Sequence, residues 1–121
     1  MKDISGKLEC GWRKKYNGHE YAGMVYIVNE GRMQYWKGYV VLPKGHPFWG
    51  AGEEEVGMAV YCHNGVTFAN EVEGVGWVIG FDCAGDSVFE WSKARVTTEV
   101  GDLMRQLAQV ERELKGRIKE E

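Results

Sequence analysis

Three turn signals divide the first two-thirds of the chain into short segments. They are Asn17-Gly18, Asn29-Glu30-Gly31 and Asn64-Gly65. An Asn-Gly pair between apolar or alternating segments is a strong hairpin signal, because both residues tolerate the positive φ of a type I′ turn. The segments between the turns are rich in Val, Ile, Tyr, Trp and Phe, which favour strands. The pattern therefore predicts six strands, at residues 11–16, 20–28, 33–42, 55–63, 66–72 and 76–81.

The segment PKGHPFWGAGEEE, between the third and fourth predicted strands, has the composition of a loop. Pro43 and Pro47 lack a backbone N–H, so they cannot belong to a central strand. They predict a loop with a stiff start and, because of the following glycines, a flexible end. The acidic run Glu53–Glu55 is predicted to form a solvated edge of this loop.

The last third of the chain changes to a helical pattern, predicted over residues 97–115. Its apolar residues recur in steps of three and four, which places them on one stripe. The stripe comprises Val100, Leu103, Leu107, Val110 and Leu114, with Met104 and Ile118 beside it. Thr97 or Thr98 is predicted to cap the helix start. The stripe favours packing on the sheet, and a dimer seam that makes a homo-oligomer is the alternative.

Composition agrees with one α+β domain over residues 1–121, an antiparallel β-hairpin sheet with one C-terminal amphipathic helix. The chain has 121 residues, of which 44% are hydrophobic and 27% charged, as is usual for one globular domain. No stretch approaches the roughly 20 apolar residues of a membrane span, and the N-terminus lacks the apolar region of a signal peptide. Three cysteines without a CxxC pair, Cys10, Cys62 and Cys83, predict free thiols in a reducing cytoplasm.

The net charge of −3 is distributed unevenly along the chain. Residues 1–50 carry eight Lys and Arg against four Asp and Glu, whereas residues 51–121 carry seven against fourteen. A basic N-terminal half suits a small anionic ligand, and the alternative is a scatter of solvated charges. Long nucleic acid is not expected as a partner, because no dense basic stripe is present.

The PKGHP segment contains the first candidate site residues, Lys44 and His46. Lys44 offers a positive charge and three donors for phosphate or carboxylate, and His46 titrates near neutral pH. A loop held by two prolines has little entropy left to lose on binding. The alternative is a rigid turn in which His46 only makes structural hydrogen bonds.

Two further candidates are YCHNG and GFDCAGD. Neighbouring residues of a strand face opposite sides, so Cys62 and His63 cannot both face one site. Asp82 and Asp86 follow a buried strand, where they could orient a histidine or bind a metal, or form ordinary turns. Cys83 is a candidate nucleophile if its thiol is activated.

Known nucleotide and hydrolase signatures are missing from the sequence. It contains no P-loop, GxGxxG, GxSxG or HExxH motif. The candidate ligands do not show the short paired spacings of structural zinc sites. The sequence therefore predicts no cofactor and no metal.

Four motifs, taken in order, resemble a family of small phage-encoded proteins of unassigned function. They are Gly38-Tyr39-Val40, the PKGHP segment, His63-x-Gly65-x-Thr67 and Trp77-x-x-Gly80-Phe81-Asp82-Cys83-Ala84. The resemblance covers about Gly38 to Asp86 and the C-terminal helix. The family usually has His-Gly-Gly-Leu-Thr in the third motif, and a second His after Asp-Cys-Ala, which this chain lacks. That departure weakens a metal-hydrolase interpretation.

The resemblance implies that one site is formed where PKGHP, YCHNG and GFDCAGD converge. It groups Lys44, His46, His63, Asp82, Cys83 and Asp86 in one cluster. With aromatic residues that could stack on a base, the predicted ligand-binding residues are Tyr39, Lys44, His46, Phe48, His63, Trp77, Asp82 and Asp86, and the candidate catalytic residues are His46, His63, Asp82 and Cys83. A phage origin also implies a location in the cytoplasm of the host cell, where such accessory proteins often act against host defence.

These features favour a protein that binds a small anionic, nucleotide-like ligand, such as a cyclic or ADP-ribose-type nucleotide of host immune signalling. Lysines would meet its phosphates and aromatic rings would stack on its base. One alternative is a small hydrolase of phosphoester or glycosidic bonds that uses His46, His63 and Asp82. Another is an inhibitor whose helix stripe docks on a host protein.

Overall fold

The chain forms five strands and two helices in a computed structural model that describes residues 4–120, with side chains described for residues 4–115. The strands are β1 (Lys7–Tyr16), β2 (His19–Glu30), β3 (Met33–Val41), β4 (Phe68–Val72) and β5 (Gly76–Asp82). The helices are α1 (Glu53–Gly57) and α2 (Lys93–Glu120). This architecture confirms the predicted α+β fold class. Within residues 4–120, no helix has the length and apolar character needed to cross a membrane.

All neighbouring strands of the sheet run antiparallel, in the order β1-β2-β3-β5-β4. The first hairpin closes between Tyr16 and His19, with Asn17 at φ 55° and Gly18 at φ 79°. Positive φ at both central residues defines the type I′ turn that the sequence predicts. The second hairpin closes between Glu30 and Met33, with Gly31 at φ 58°. β1 is longer than predicted, since it begins at Lys7 and contains a bulge at Glu9.

The apolar stripe of α2 packs against β2 and β3. Side chains alternate across the sheet, so Val40 faces the helix whereas its neighbour Tyr39 lies on the opposite face. The helix contributes six fully or nearly fully buried apolar side chains to this core: Val96, Val100, Leu103, Met104, Leu107 and Ala108. The stripe therefore packs on the sheet, as its spacing favours, through Val100, Leu103 and Leu107, and Val110 packs partly buried against the same core.

Gly38 allows α2 to approach the sheet closely. A Cβ at this position would lie 2.5 Å from Val100 Cγ2 of the helix and 2.7 Å from Phe81 Cε1 of β5. Both neighbours are fully buried, so neither has free volume to move into. The contact between strand and helix therefore depends on the missing side chain.

We expect Gly38→Ala to lower the free energy of unfolding by about 1–3 kcal/mol, because the new methyl group overpacks the core. Guanidinium denaturation followed by circular dichroism measures the change. Gly11→Ala is the matched control, because a Cβ on Gly11 of β1 meets nothing closer than 3.7 Å. A Gly38→Ala protein as stable as the Gly11→Ala protein would show that the helix is not seated as described.

The predicted strand at residues 55–63 is wrong. The acidic run, expected as a loop edge, forms the first turn of α1, where carboxylates are favoured by the helix dipole. Val56 and Val60 are both buried, and the Val60 N–H donates to Val56 O at 3.1 Å. A spacing of four fits a strand and a helical turn equally well, which explains the error.

Two boundary predictions also differ from the structure. Asn64 and Gly65 do form a turn, with φ 62° and 75°, but no strand precedes it, so it closes no hairpin. α2 begins at Lys93, and Ser92 caps it by accepting the Arg95 N–H. The predicted caps Thr97 and Thr98 lie inside the helix, where each hydroxyl donates to the carbonyl four residues earlier.

Candidate functional site

Two of the three predicted segments meet beside the start of α2. His63, in the turn before β4, places its Nε2 2.8 Å from Asp86 Oδ2 in the turn after β5. Cys83 lies beside them: its Sγ, the imidazole nitrogen and the carboxylate oxygen are all within 4.8 Å of one another. His63, Cys83 and Asp86 are called the His63 cluster below. The hydrogen bond from His63, together with one from Asn64, holds the pKa of Asp86 below its usual value against the opposing effect of desolvation.

Three side chains hold the His63 cluster in place. Trp91 stacks on its ring with centroids 3.6 Å apart, and Glu99 of α2 accepts the His63 N–H at 2.9 Å. Asn64 donates to Asp86 Oδ2 and to the Asp82 carbonyl oxygen, both at 3.1 Å. The cluster is thus fixed by contacts from three separate parts of the chain.

Cys83 does not have the surroundings of an activated nucleophile. It is 1% exposed, and burial together with the charges of Asp86, Asp82 and Glu99 raises the pKa of its thiol to about 12. A nucleophilic cysteine needs a depressed pKa and a nearby positive charge. The Cys83 thiol is therefore protonated near neutral pH and suited neither to acyl nor to phosphoryl transfer.

The PKGHP segment lies elsewhere, against the second half of α2. His46 is 3% exposed; its Nε2 lies 2.8 Å from Leu107 O, and its Nδ1 accepts the Phe48 N–H at 2.9 Å. Because Nδ1 accepts and the carbonyl can only accept, His46 is neutral with its proton on Nε2. Leu107 and Glu99, the helix contacts of the two histidines, are eight residues or roughly 12 Å apart along α2. The structure therefore does not bring all three segments together.

The remaining predicted ligand residues are scattered over the fold. Lys44 is exposed at a loop tip, whereas Phe48 is buried in the core below it. Tyr39 is 2% exposed on the sheet face opposite α2. Trp77 packs against the core on the helix side, and Asp82 accepts the Ala84 N–H as a turn residue. The acid–base group of the hydrolase alternative is not assembled, because His46 bonds Leu107, eight residues along α2 from Glu99, which holds His63.

A groove of about 430 Å³ lies where α2 begins and the ends of β1–β3 come close to it. We call it the α2 groove. Its polar and aromatic lining includes two lysines, one carboxylate, two amides and two aromatic rings: Lys7, Lys93, Glu9, Asn29, Gln34, Trp36 and Phe89. Phe89 is 94% exposed, which is unusual for so large an apolar side chain. None of the predicted site residues lines this groove, although the run Phe89-Glu90-Trp91-Ser92-Lys93 ahead of a helix combines aromatic residues, a cap and a cation.

A second groove of about 520 Å³ lies on the open face of the sheet. Its floor is formed largely by small or apolar residues of the strands, such as Gly11, Ala22, Met24 and Val41. Its cation, Arg13, already has a carboxylate partner in Glu20 at 3.5 Å. This groove lacks the free positive charge that an anionic ligand requires.

No protein-family profile, curated protein or solved structure matches the chain.

Proposed function

We propose that this protein binds a small anionic, nucleotide-like ligand in the α2 groove. The observation that carries the proposal is the combination, in one groove, of exposed lysines, exposed aromatic surface and the N-terminus of a long helix. A volume of about 430 Å³ lies in the range of sites for small organic ligands, roughly 300–1,000 Å³. The proposal rests on groups that are accessible in the folded protein.

The first turn of α2 favours an anion. It has no acidic residue and carries Lys93 and Arg95, so two cations stand at the positive end of the helix dipole. Cations are unfavourable at this end, whereas a phosphate is stabilised both by the dipole and by backbone N–H groups. Binding a phosphate would therefore relieve a repulsion that is built into the helix start.

The aromatic side chains of the α2 groove suit a base. Phe89 stands almost fully exposed, and Trp36 is half-buried on β3. Stacking on an aromatic ring contributes about 1–3 kcal/mol per base. Asn29 and Gln34, which bond each other at 2.9 Å, add donors and acceptors for the polar edge of a base or ribose.

The motif resemblance to phage proteins extends the proposal to a biological role. A phage protein that holds a cyclic or ADP-ribose-type nucleotide would sequester a host immune signal. Sequestration requires no catalytic group, which fits the neutral, fully bonded His46 and the protonated Cys83 thiol. The ligand would leave the protein chemically unchanged.

Isothermal titration with ADP-ribose and with a cyclic dinucleotide tests the proposal. We expect one of these probes to bind, and we expect Lys93→Ala and Phe89→Ala each to weaken it by about tenfold or more. Both side chains are exposed, so neither substitution should affect folding. Raising the salt concentration should weaken binding of the wild-type protein, because surface charges are screened.

Lys14→Ala is the matched control, since Lys14 is an exposed lysine of β1 that does not line the α2 groove. The affinity of the Lys14→Ala variant for the bound probe should equal that of the wild type. Chromatography of the recovered ligand separates binding from turnover. The proposal fails if neither probe binds, or if the Lys93 and Phe89 variants bind as tightly as the control.

A further inference from the structure

The His63 cluster brings three different kinds of metal-binding atom together: an imidazole nitrogen, a sulfur and a carboxylate oxygen. All three are within 4.8 Å of one another, and His63 Nε2 is 2.8 Å from Asp86 Oδ2. In a tetrahedral zinc site, bond lengths of about 2.0–2.3 Å place neighbouring ligand atoms roughly 3.3–3.7 Å apart. Side-chain rotations can bring the cluster to that spacing.

The local chain geometry also suits a metal. Cys83 and Asp86 are the ends of a four-residue turn, closed by the Asp86 N–H donating to Cys83 O at 3.0 Å. Gly85 has φ 89°, so a glycine supplies the left-handed conformation within this turn. Cys83 and Asp86 are separated by two residues, as the closest Cys pairs of zinc-binding loops are, although the Asp in place of a second Cys keeps the sequence from matching a structural zinc motif.

The groups around the ligands hold them as the outer shell of a metal site does. Asn64 donates to the Asp86 carboxylate, and Trp91 stacks on the His63 ring. Such partners fix the orientation of ligands before the metal arrives. Negative charge is concentrated here as well, because Asp82, Asp86 and Glu99 all act on the buried Cys83. A divalent cation would balance that charge.

We propose that His63, Cys83 and Asp86 bind one divalent ion of the zinc class, with a fourth coordination position left to water. A thiolate and an imidazole select borderline metals such as Zn²⁺ or Co²⁺ over Mg²⁺ and Ca²⁺, which prefer oxygen. Three protein ligands with an open position are typical of zinc sites that take part in chemistry, whereas structural sites have four. This inference does not depend on ligand binding in the α2 groove.

Binding requires the release of one proton, a change of tautomer at His63 and the loss of one hydrogen bond. The Cys83 thiol gives its proton to solvent as the sulfur coordinates the ion. His63 Nε2 donates to the Asp86 carboxylate, so its proton must move through solvent to Nδ1 before Nε2 can exchange that bond for the metal. Metal binding therefore releases protons, and its affinity falls as the pH falls. The ion stays divalent throughout, so no oxidant or reductant is involved.

Titration of the reduced, metal-free full-length protein with Co²⁺ and Zn²⁺ tests the site. We expect one ion per chain and, with Co²⁺, the near-ultraviolet band of a thiolate–cobalt bond. Cys83→Ala should lose that band, and Asp86→Asn should weaken Zn²⁺ binding by more than about 100-fold, because each removes a ligand. Asn64→Gly, which keeps the left-handed backbone but removes the amide, should weaken it by about tenfold.

Cys62→Ala is the matched control, because Cys62 is equally buried and adjacent to His63 but does not belong to the cluster. It should retain the cobalt band. Asp86 is partly exposed, so the near-isosteric Asp86→Asn variant keeps the test valid even if Cys83→Ala does not fold. The proposal is overturned if wild-type protein binds no stoichiometric Zn²⁺, or if the band persists in Cys83→Ala and disappears in Cys62→Ala.

Discussion

Glu111→Ala should lower the free energy of unfolding by about 2–4 kcal/mol. Glu111 is a carboxylate of α2 that is only 1% exposed, and four groups of other residues surround it. Its Oε1 accepts from Tyr21 Oη and Asn17 Nδ2, both at 3.0 Å. Its Oε2 lies 2.9 Å from His19 Nδ1 and 3.2 Å from Lys115 Nζ. The carboxylate therefore ties the first hairpin to the helix.

The loss arises mainly from the partners that remain. Tyr21 is fully buried, so its hydroxyl would have no partner in the variant, which costs about 1–3 kcal/mol. The shorter side chain also leaves a cavity, which adds to the loss. His19 and Lys115 are 44% and 34% exposed at their side chains, so water can solvate their polar groups and they contribute less.

Urea denaturation of two variants and one control measures this effect. Glu111→Gln keeps an acceptor for Tyr21 and Asn17, so it should cost only about 1 kcal/mol. Glu113→Ala removes an exposed carboxylate of the same helix and should change stability by less than about 0.5 kcal/mol. Equal stability of Glu111→Ala and Glu113→Ala would contradict the role of this network.

The pKa of Glu111 also predicts how the free energy of unfolding changes with pH on the acid side. Burial would raise its pKa, but hydrogen bonds from Asn17, Lys115 and Tyr21 and the charge on His19 outweigh burial and lower it. A carboxylate with a lowered pKa stabilises the fold above its ordinary value of 4.5 and loses that contribution as the pH falls through the folded value. The wild-type curve should therefore be steeper below pH 4.5 than that of Glu111→Gln.

The sequence predicts the sheet better than it predicts the site, for physical reasons. Asn17-Gly18 requires positive φ at two adjacent positions, which few structures other than a type I′ hairpin satisfy, so the first turn is recognisable locally. Val56 and Val60 impose no comparable restriction on φ, and their spacing of four residues fits either a strand or a helical turn. Only their tertiary contacts decide between strand and helix.

The candidate site depends on contacts that local patterns do not encode. That His63 meets Asp86 follows from the path of the chain around β4 and β5, and the motif resemblance was the only guide to it. The same resemblance grouped His46 with these residues, although His46 lies against Leu107. Its Pro-Lys-Gly-His-Pro setting is typical both of a binding loop and of a rigid structural turn. Burial of the histidine distinguishes a structural segment from a binding loop, and a sequence does not show burial directly.

His46→Phe should lower the free energy of unfolding by about 2–4 kcal/mol and flatten the pH dependence of stability. Phenylalanine is somewhat larger than histidine and leaves no cavity, so the loss combines the missing hydrogen bonds with any overpacking by the larger ring. The Phe48 N–H would be left without its acceptor, at a cost of about 1–3 kcal/mol, and the bond to Leu107 O would add about 1 kcal/mol. Lys44→Ala, an exposed position of the same loop, is the control and should change little.

A neutral, buried His46 predicts a specific pH dependence of stability. Desolvation lowers its pKa, and the charge of Lys115 does the same, while the hydrogen bond to Leu107 and the charge of Glu111 act in the opposite direction without overcoming burial. Because the unfolded chain binds this proton at pH 6.5 and the folded protein only at lower pH, stability falls as the pH drops below 6.5. The slope from this one group reaches at most about 1.4 kcal/mol per pH unit.

Denaturation of the wild type and of His46→Phe at a series of pH values between 7 and 5 isolates this contribution. The wild type should lose stability across that window, and the variant should lose less, because it has no proton to bind at this position. The window lies above the one in which Glu111 titrates, so the two effects are separable. If the two proteins showed parallel curves, His46 would have to be protonated or solvated in the folded state. The PKGHP segment would then again be a candidate for acid–base chemistry.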